Sequence, residues 1–148
     1  MSSAEKNVYI ETDLFLFEAP EGWEIEALEE DAELVGPNDE FMVISTYELD
    51  ESATDEQRAE FPIDISNAMQ EATEEAELTV IGKLKKETAP NGLPIWSIQA
   101  DASDEEQFFD QYATIKGDTA VLITVEGDLE DRPSSALVEE AVYCIEFK

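Results

Sequence analysis

The sequence combines an ordinary hydrophobic content with extreme acidity: its 148 residues are 43% hydrophobic, but 38 acidic and 8 basic residues give a formal net charge of −30 at pH 7. The length predicts one domain with a sizeable core, and the charge argues against direct binding to nucleic acid phosphates or to an anionic membrane surface, since both need a basic surface. The chain has no histidine and one cysteine, which excludes histidine-based catalytic triads, histidine metal sites and an internal disulfide.

Short strands fill the part of the chain before residue 54. Residues 7–10 and 14–19 flank Thr12 and Asp13, whose side chains suit a tight turn, and this pattern predicts an opening hairpin. Extended stretches follow at residues 23–27, 32–35 and 41–49. The last of these is apolar on both faces at its start, so we expect it to lie inside a sheet.

One segment, residues 54–78, has strong helical periodicity. Thr54 and Gln57 have the spacing of a capping box, in which each side chain accepts a hydrogen bond from the other residue's backbone N–H. Pro62 biases the preceding residue away from helical geometry, so we expect a first turn over residues 55–60 and a main helix from Pro62 to about Glu77. The predicted inward stripe consists of Phe61, Ile65, Ala68, Met69, Ala72 and Ala76.

A four-strand meander follows the helix, over residues 79–88, 93–100, 107–115 and 119–127. The fourth stretch is rich in β-branched residues, which is typical of a central strand. A second helix over residues 134–143 is expected to bury Leu137, Ala141 and Val138. The last five residues are predicted to finish as a short extended piece.

These elements predict the α+β class, with an antiparallel sheet flanked by helices in an α/β/α sandwich. We expect a single domain over residues 7–148 and a flexible tail over residues 1–6. The N-terminal sequence MSSAEKNVYI has neither a basic region followed by an apolar run nor a lipidation signal, which predicts a cytoplasmic protein. No stretch of eighteen apolar residues occurs, so no membrane span is predicted.

The opening phrase LFLFEAPEGWEIE carries a resemblance to known proteins. Its Pro20, Glu21, Gly22 and Trp23, together with the order of the elements, resemble the fold shared by PsbP-like photosystem proteins, Mog-type binders of the Ran GTPase, and DcrB and Eag-type bacterial proteins. The resemblance implies a protein without catalysis that acts by binding partners, and Eag-type members escort membrane-inserting segments of secreted effectors. This sequence departs from PsbP and DcrB in having no signal or lipoprotein motif, which favours the cytosolic branches.

Aromatic residues on three strands form the candidate partner-binding site. On the stretch from Leu93, Trp96 and Ile98 face opposite to Ile95, and on the next strand Phe108 and Tyr112 face opposite to Phe109 and Ala113. Both faces are therefore apolar, and two helices covering them is the favoured interpretation. If the second helix is too short, an open concave patch remains, and such a patch indicates a binding surface. The candidate residues are Tyr47, Trp96, Phe108 and Tyr112.

Other clusters are weaker candidates. Paired carboxylates occur by chance in so acidic a chain, and a calcium site at Glu29, Glu30, Asp31 and Asp39 lacks the ordered pattern of an EF-hand loop. The favoured role for Lys83, Lys85 and Lys86 is to pair with glutamates or to protect a sheet edge. Cys144 stands among apolar residues, which favours a buried, inert thiol.

The sequence leaves three functional hypotheses open. The first is a non-enzymatic protein-binding module, a chaperone or adaptor for a secreted effector or for another apolar or basic segment. The alternatives are an acidic decoy that mimics nucleic acid and an enzyme that works with a borrowed metal. No cofactor is predicted, and a homodimer stays open. The even spread of acidic residues over turns and helix favours a solvated surface suited to a saline host, with a basic partner and nucleic acid mimicry left as alternatives.

Overall fold

The computed structural model of the protein describes residues 9–19, 22–28, 32–75, 80–81, 85–90, 92–102, 106–128, 130, 135–143 and 145–147. Within these ranges the chain forms two helices, α1 (Asp55–Glu75) and α2 (Ser135–Tyr143). The same ranges contain the strands β1 (Tyr9–Glu11), β2 (Phe15–Glu18), β3 (Glu24–Leu28), β4 (Ala32–Val35), β5 (Phe41–Glu48), β6 (Val80–Ile81), β7 (Lys85–Thr88), β8 (Pro94–Ala102), β9 (Gln107–Lys116), β10 (Thr119–Asp128) and β11 (Glu146–Phe147).

The strands form two antiparallel sheets, which confirms the α+β class. The large sheet has the order β3-β4-β5-β10-β9-β8-β6, and β7 also pairs with β8. The small sheet has the order β1-β2-β11 and joins the two ends of the described chain. The expectation of a single sheet was wrong, because β11 pairs with β2 across most of the sequence and no local pattern encodes that pairing.

The inner strands of the large sheet are those that the sequence indicates. The opening hairpin of β1 and β2 forms, and both β5 and β10 lie inside the sheet, paired with each other and with one further neighbour each. The meander is confirmed from β8 to β10. The predicted strand over residues 79–88 is instead two short strands, β6 and β7, which pair with different parts of β8 because that strand is long enough to accept both.

Helix α1 begins at the predicted capping box. The Thr54 N–H donates to Gln57 Oε1 at 2.8 Å and the Gln57 N–H donates to Thr54 Oγ1 at 3.1 Å. The predicted interruption at Pro62 was wrong: one continuous helix contains this proline. The missing proline N–H removes a bond to the Arg58 carbonyl, but the burial of Phe61, Ile65 and Met69 against the sheet stabilises the continuous helix.

The inward stripe of α1 is narrower than the sequence predicts. Phe61, Ile65 and Met69 are buried, whereas Ala68 is exposed. Pro62 is half-buried, so the inward direction is rotated toward its side of the helix and away from Ala68. Ala72 and Leu137 belong to α1 and α2, but the structure describes only their backbone, so their predicted inward positions stay predictions. Ala76, Cys144 and the tail over residues 1–6 lie outside the described residues.

Two hydrophobic cores lie on opposite faces of the large sheet. The larger core fills the space between this sheet, the small sheet and α2, and it includes the predicted Val138 and Ala141. The smaller core lies under α1, which contacts β8 and β9. The buried Gln111 links β9 to α1 through a hydrogen bond, in which its Nε2 donates to the Met69 carbonyl at 2.9 Å.

Candidate functional site

The structure separates the four predicted site residues. Trp96 is 6% exposed, Phe108 1% and Tyr112 0%, whereas Tyr47 is 47% exposed. Trp96 pairs across strands with Ala113, so it lies on the α1 face, while Phe108 and Tyr112 belong to the larger core on the other face. The open concave patch, expected only if the second helix is too short, does not form around Trp96, Phe108 and Tyr112. Both faces are covered over these strands, as favoured, but the small sheet shares with α2 the covering of the face opposite α1. A partner-binding role for these four side chains stays a prediction.

Lysines line the edge strand β7 next to Trp96. All four residues of β7 are exposed, and Lys86 Nζ lies 5.4 Å from the centre of the Trp96 ring, in a cation–π arrangement. Lys85 and Lys86 thus stand on an edge, where lysine discourages pairing with another chain. Lys83 lies outside the described residues.

An apolar strip on the α1 face of the large sheet is left half open beside the helix. Residues directly opposite on antiparallel strands share a face, and the register places Phe41 beside Val35, Val43 beside Thr124, and Tyr47 beside Ala120 of the smaller core. We call the following residues the open strip: Val35, Phe41, Val43, Tyr47, Leu122 and Thr124. Tyr47 is exposed and the other five are half-buried. This face of the sheet is therefore covered more completely over β8 and β9, where α1 packs, than over β4 and β5.

Carboxylates flank one end of the open strip, beside Val35, Phe41 and Val43. Glu33 lies opposite Val43, Glu126 lies opposite Phe41, and Glu24 lies opposite Val35, all by direct cross-strand pairing. We call Glu24, Glu33 and Glu126 the acidic rim. Strands β3, β4, β5 and β10 contain no lysine or arginine, so no basic residue on these four strands compensates the charge of the acidic rim.

The sequence could have revealed this strip only in part. Phe41 and Val43 alternate with Met42 and Ile44, and this alternation predicts two apolar faces for β5. Which face stays open depends on where α1 lies, and α1 packs over β9 and β8, which are the second and third strands from β5 in the sheet order. The position of α1 on the sheet depends on tertiary contacts, which the pattern within β5 does not show.

The Pro-x-Gly-Trp segment has a structural role at its described end. Gly22 has a φ of 92°, a left-handed conformation that favours glycine, and Trp23 is buried in the larger core. Trp23 packs over the β4–β5 turn, where a methyl group built on Gly36 would lie 3.0 Å from Trp23 Cζ2 and 2.8 Å from Glu40 Oε1. Pro20 and Glu21 lie outside the described residues.

The same turn contains a buried carboxylate. Glu40 is 3% exposed, and its Oε1 accepts a hydrogen bond of 2.6 Å from the Asn38 N–H, while its carbonyl accepts one from the Gly36 N–H at 2.8 Å. Both bonds lie within the turn that joins β4 to β5. Glu40 therefore closes the turn, and the geometry gives it a structural rather than a catalytic role.

A second group of titratable side chains joins α2 to the edge strand β7. The Tyr143 hydroxyl donates to Glu87 Oε2 at 3.0 Å. Burial raises the pKa of Glu139, the nearby Glu87 carboxylate adds to the rise, and Lys85 opposes it. Burial and the bond to Glu87 likewise raise the pKa of Tyr143. At an exposed turn, the pKa of Asp50 is lowered by the backbone N–H and the hydroxyl of Ser52.

The described residues contain neither a cluster of metal-ligating side chains nor a helix able to cross a membrane. Among the described residues, no three His, Cys, Asp or Glu side chains come close enough together to hold a metal ion. Of the weighed calcium ligands, Asp39 is exposed in the β4–β5 turn, and residues 29–31 lie outside the described part. No helix in the described ranges combines the length and apolar character needed to cross a membrane.

Comparison with known proteins yields structural relatives only. No protein-family model matches the sequence, and no curated protein matches it. The solution structure of cyanobacterial PsbP (CyanoP) from Synechocystis sp. PCC 6803 is similar, with a TM-score of 0.59, 11% identity, and coverage of 100% of this chain and 95% of that chain. A crystal structure from Bacteroides thetaiotaomicron has a TM-score of 0.43, 16% identity, and coverage of 90% of this chain and 45% of that chain. The first similarity confirms the predicted resemblance at the level of the fold.

Proposed function

With a PsbP-like fold as the premise, we propose that the protein is a non-enzymatic, cytoplasmic protein-binding module that holds a basic or apolar segment of another protein. A chaperone or adaptor for a secreted effector is the form of this function that we favour. The observation that carries the proposal is the formal net charge of −30. A charge of this size attracts a cationic partner over several ångströms and speeds its association.

The placement of the basic residues supports the same proposal. In the described part of the chain, the Arg58 guanidinium pairs with the Asp118 carboxylate, and Lys86 lies over Trp96. Neither cation lies on β3, β4, β5 or β10, whose charged residues are all acidic. A partner with lysine or arginine would supply the missing countercharge.

Identification of the partner by crosslinking in the native host, followed by reconstitution from purified components, tests the proposal. We expect the crosslinked segment to be rich in lysine or arginine, and the dissociation constant to rise at least about tenfold between 0.05 and 0.5 M NaCl, because salt screens the attraction. The control is the same partner with the basic residues of that segment changed to glutamine. Equal affinity at both salt concentrations, or equal affinity of the control, would contradict the proposal.

A further inference from the structure

We infer that the open strip docks a basic amphipathic helix of the partner, which lies beside α1 on the same face of the large sheet. This inference rests on the proposed function and deepens it, because it assigns the surface and the chemistry of the bound segment. It follows from the dimensions of the strip, its partial exposure and the sign of the surrounding charge.

The dimensions of the strip match one short helix. From Phe41 to Tyr47 the strip follows six residue steps of β5, which is about 20 Å at the usual strand rise. Strands β4, β5 and β10 span two strand spacings, which is about 10 Å. A helix has a diameter of about 10 Å and rises 1.5 Å per residue, so a helix of about 13 residues covers the strip.

The exposure of side chains on the α1 face of the large sheet shows which part of this face α1 leaves uncovered. Helix α1 buries Trp96, Ala113 and Ala120 on its side of this face. On the same face, Phe41 and Val43 are only half-buried and Tyr47 is 47% exposed. Adjacent apolar side chains that a monomer leaves partly exposed are typical of a protein-binding surface, and a hydrophobic helix face laid on them is a common mode of recognition.

Charge decides which occupant fits. The acidic rim places Glu24, Glu33 and Glu126 on the same face as the strip. A second copy of this chain would bring the same carboxylates and the same net charge of −30 against them, and like charges across an interface are unfavourable. A helix with lysine or arginine beside its apolar face would complement both the strip and the rim.

A pair of matched variants tests the location. Val43→Lys puts a cation in the centre of the strip, opposite Glu33, whereas Tyr9→Lys puts one on the exposed side of the small sheet, opposite Glu18. Both variants change the net charge by the same amount, and each new lysine faces a glutamate that can pair with it. Only the first would repel a basic helix from the strip. Val43→Thr, which retains β-branching, serves as a milder variant if Val43→Lys lowers the thermal stability.

The probe is an amphipathic peptide of about 14 residues, leucine on one helical face and lysine on the other; a version with glutamate for lysine is the control peptide. We expect Val43→Lys to weaken binding of the lysine peptide at least about tenfold and Tyr9→Lys less than about twofold. A spin label on the peptide should broaden the amide resonances of β4, β5 and β10 selectively.

Several outcomes would overturn the inference. Equal weakening by both variants, or broadening confined to other strands, would place the peptide elsewhere and leave the proposed function intact. If the peptide fails to bind while the crosslinked partner binds in a salt-dependent way, the inference that the strip docks a basic helix is refuted and the proposed function is left intact. A dimer that Val43→Lys dissociates would assign the strip to a second copy instead. Failure of every basic ligand, including the crosslinked partner, would refute the proposed function itself.

Discussion

Substitution of Gly36 by alanine should destabilise the turn on which Trp23 packs. The added methyl group would lie 2.8 Å from Glu40 Oε1, 3.0 Å from Glu40 Cδ and 3.0 Å from Trp23 Cζ2, all shorter than the normal separation of about 3.5 Å for non-bonded carbon atoms. Glu40 and Trp23 are both almost fully buried, so neither side chain has free space to move into. Overpacking of this kind costs about 1–3 kcal/mol, and displacement of the Asn38–Glu40 hydrogen bond adds about 1 kcal/mol.

We therefore expect Gly36→Ala to lower the free energy of unfolding by about 2–4 kcal/mol, measured by urea denaturation, with an unchanged dependence of that free energy on urea concentration. Gly92→Ala is the matched control, because Gly92 has a φ of 89° and nothing lies within 4 Å of an added methyl group; it should show only conformational strain of about 1 kcal/mol. In a Glu40→Ala background, Gly36→Ala should cost at least about 1 kcal/mol less. The steric argument is refuted if the cost is the same in both backgrounds, or if Gly36→Ala costs no more than Gly92→Ala.

Three further predictions concern stability. Met69→Ala removes a fully buried side chain beneath α1 and should cost about 2–5 kcal/mol, whereas Ile63→Ala on the exposed side of α1 should cost less than about 0.5 kcal/mol in the same urea titration; similar costs would contradict the assigned helix orientation. The midpoint of thermal unfolding should rise between about 0.1 and 1 M NaCl, since the Debye length falls from about 10 to about 3 Å, and a flat or falling midpoint would show that self-repulsion is unimportant. The folded state raises the pKa of Tyr143 and so holds its proton more tightly than the unfolded state does; stability should fall as pH rises above the ordinary value of about 10. Tyr143→Phe should reduce this alkaline loss relative to Tyr47→Phe in unfolding titrations above that pH, and equal losses would rule out the contribution.

Local features of the fold could be predicted because their causes lie within a few residues. The capping box of Thr54 and Gln57 fixes the start of α1 through two hydrogen bonds that involve only those residues. The β-branched run in β10 predicted its central position, since a strand buried on both faces selects such side chains. The helix interruption predicted at Pro62 was wrong, because the burial of Phe61, Ile65 and Met69 outweighs the local preference of the proline.

The candidate site could not be predicted because it depends on long-range register. The sequence shows that Phe108 and Tyr112 share a face, but whether Trp96 lies on that face depends on how β8 pairs with β9. The observed pairing sets Trp96 opposite Ala113 and thereby places it under α1. A slip of one residue would have moved Trp96 to the other face, and no pattern within either strand distinguishes the two registers. The open strip likewise depends on long-range pairing, because β5 pairs with β10 although α1 and β6 to β9 lie between them in the sequence.

The small sheet has a consequence for the order in which the protein folds during synthesis. Phe15 and Phe17 in β2 are 2% and 0% exposed, and they share a core with Val138, Val142 and Ile145 from the other end of the chain. The ribosome makes β2 before β3 to β10, and Val138, Val142 and Ile145 follow only after β10. Phe15 and Phe17 therefore lack their final packing partners while β3 to β10 are synthesised, a period in which exposed apolar surface favours aggregation. The acidity of the nascent chain opposes association between neighbouring polypeptides during that interval.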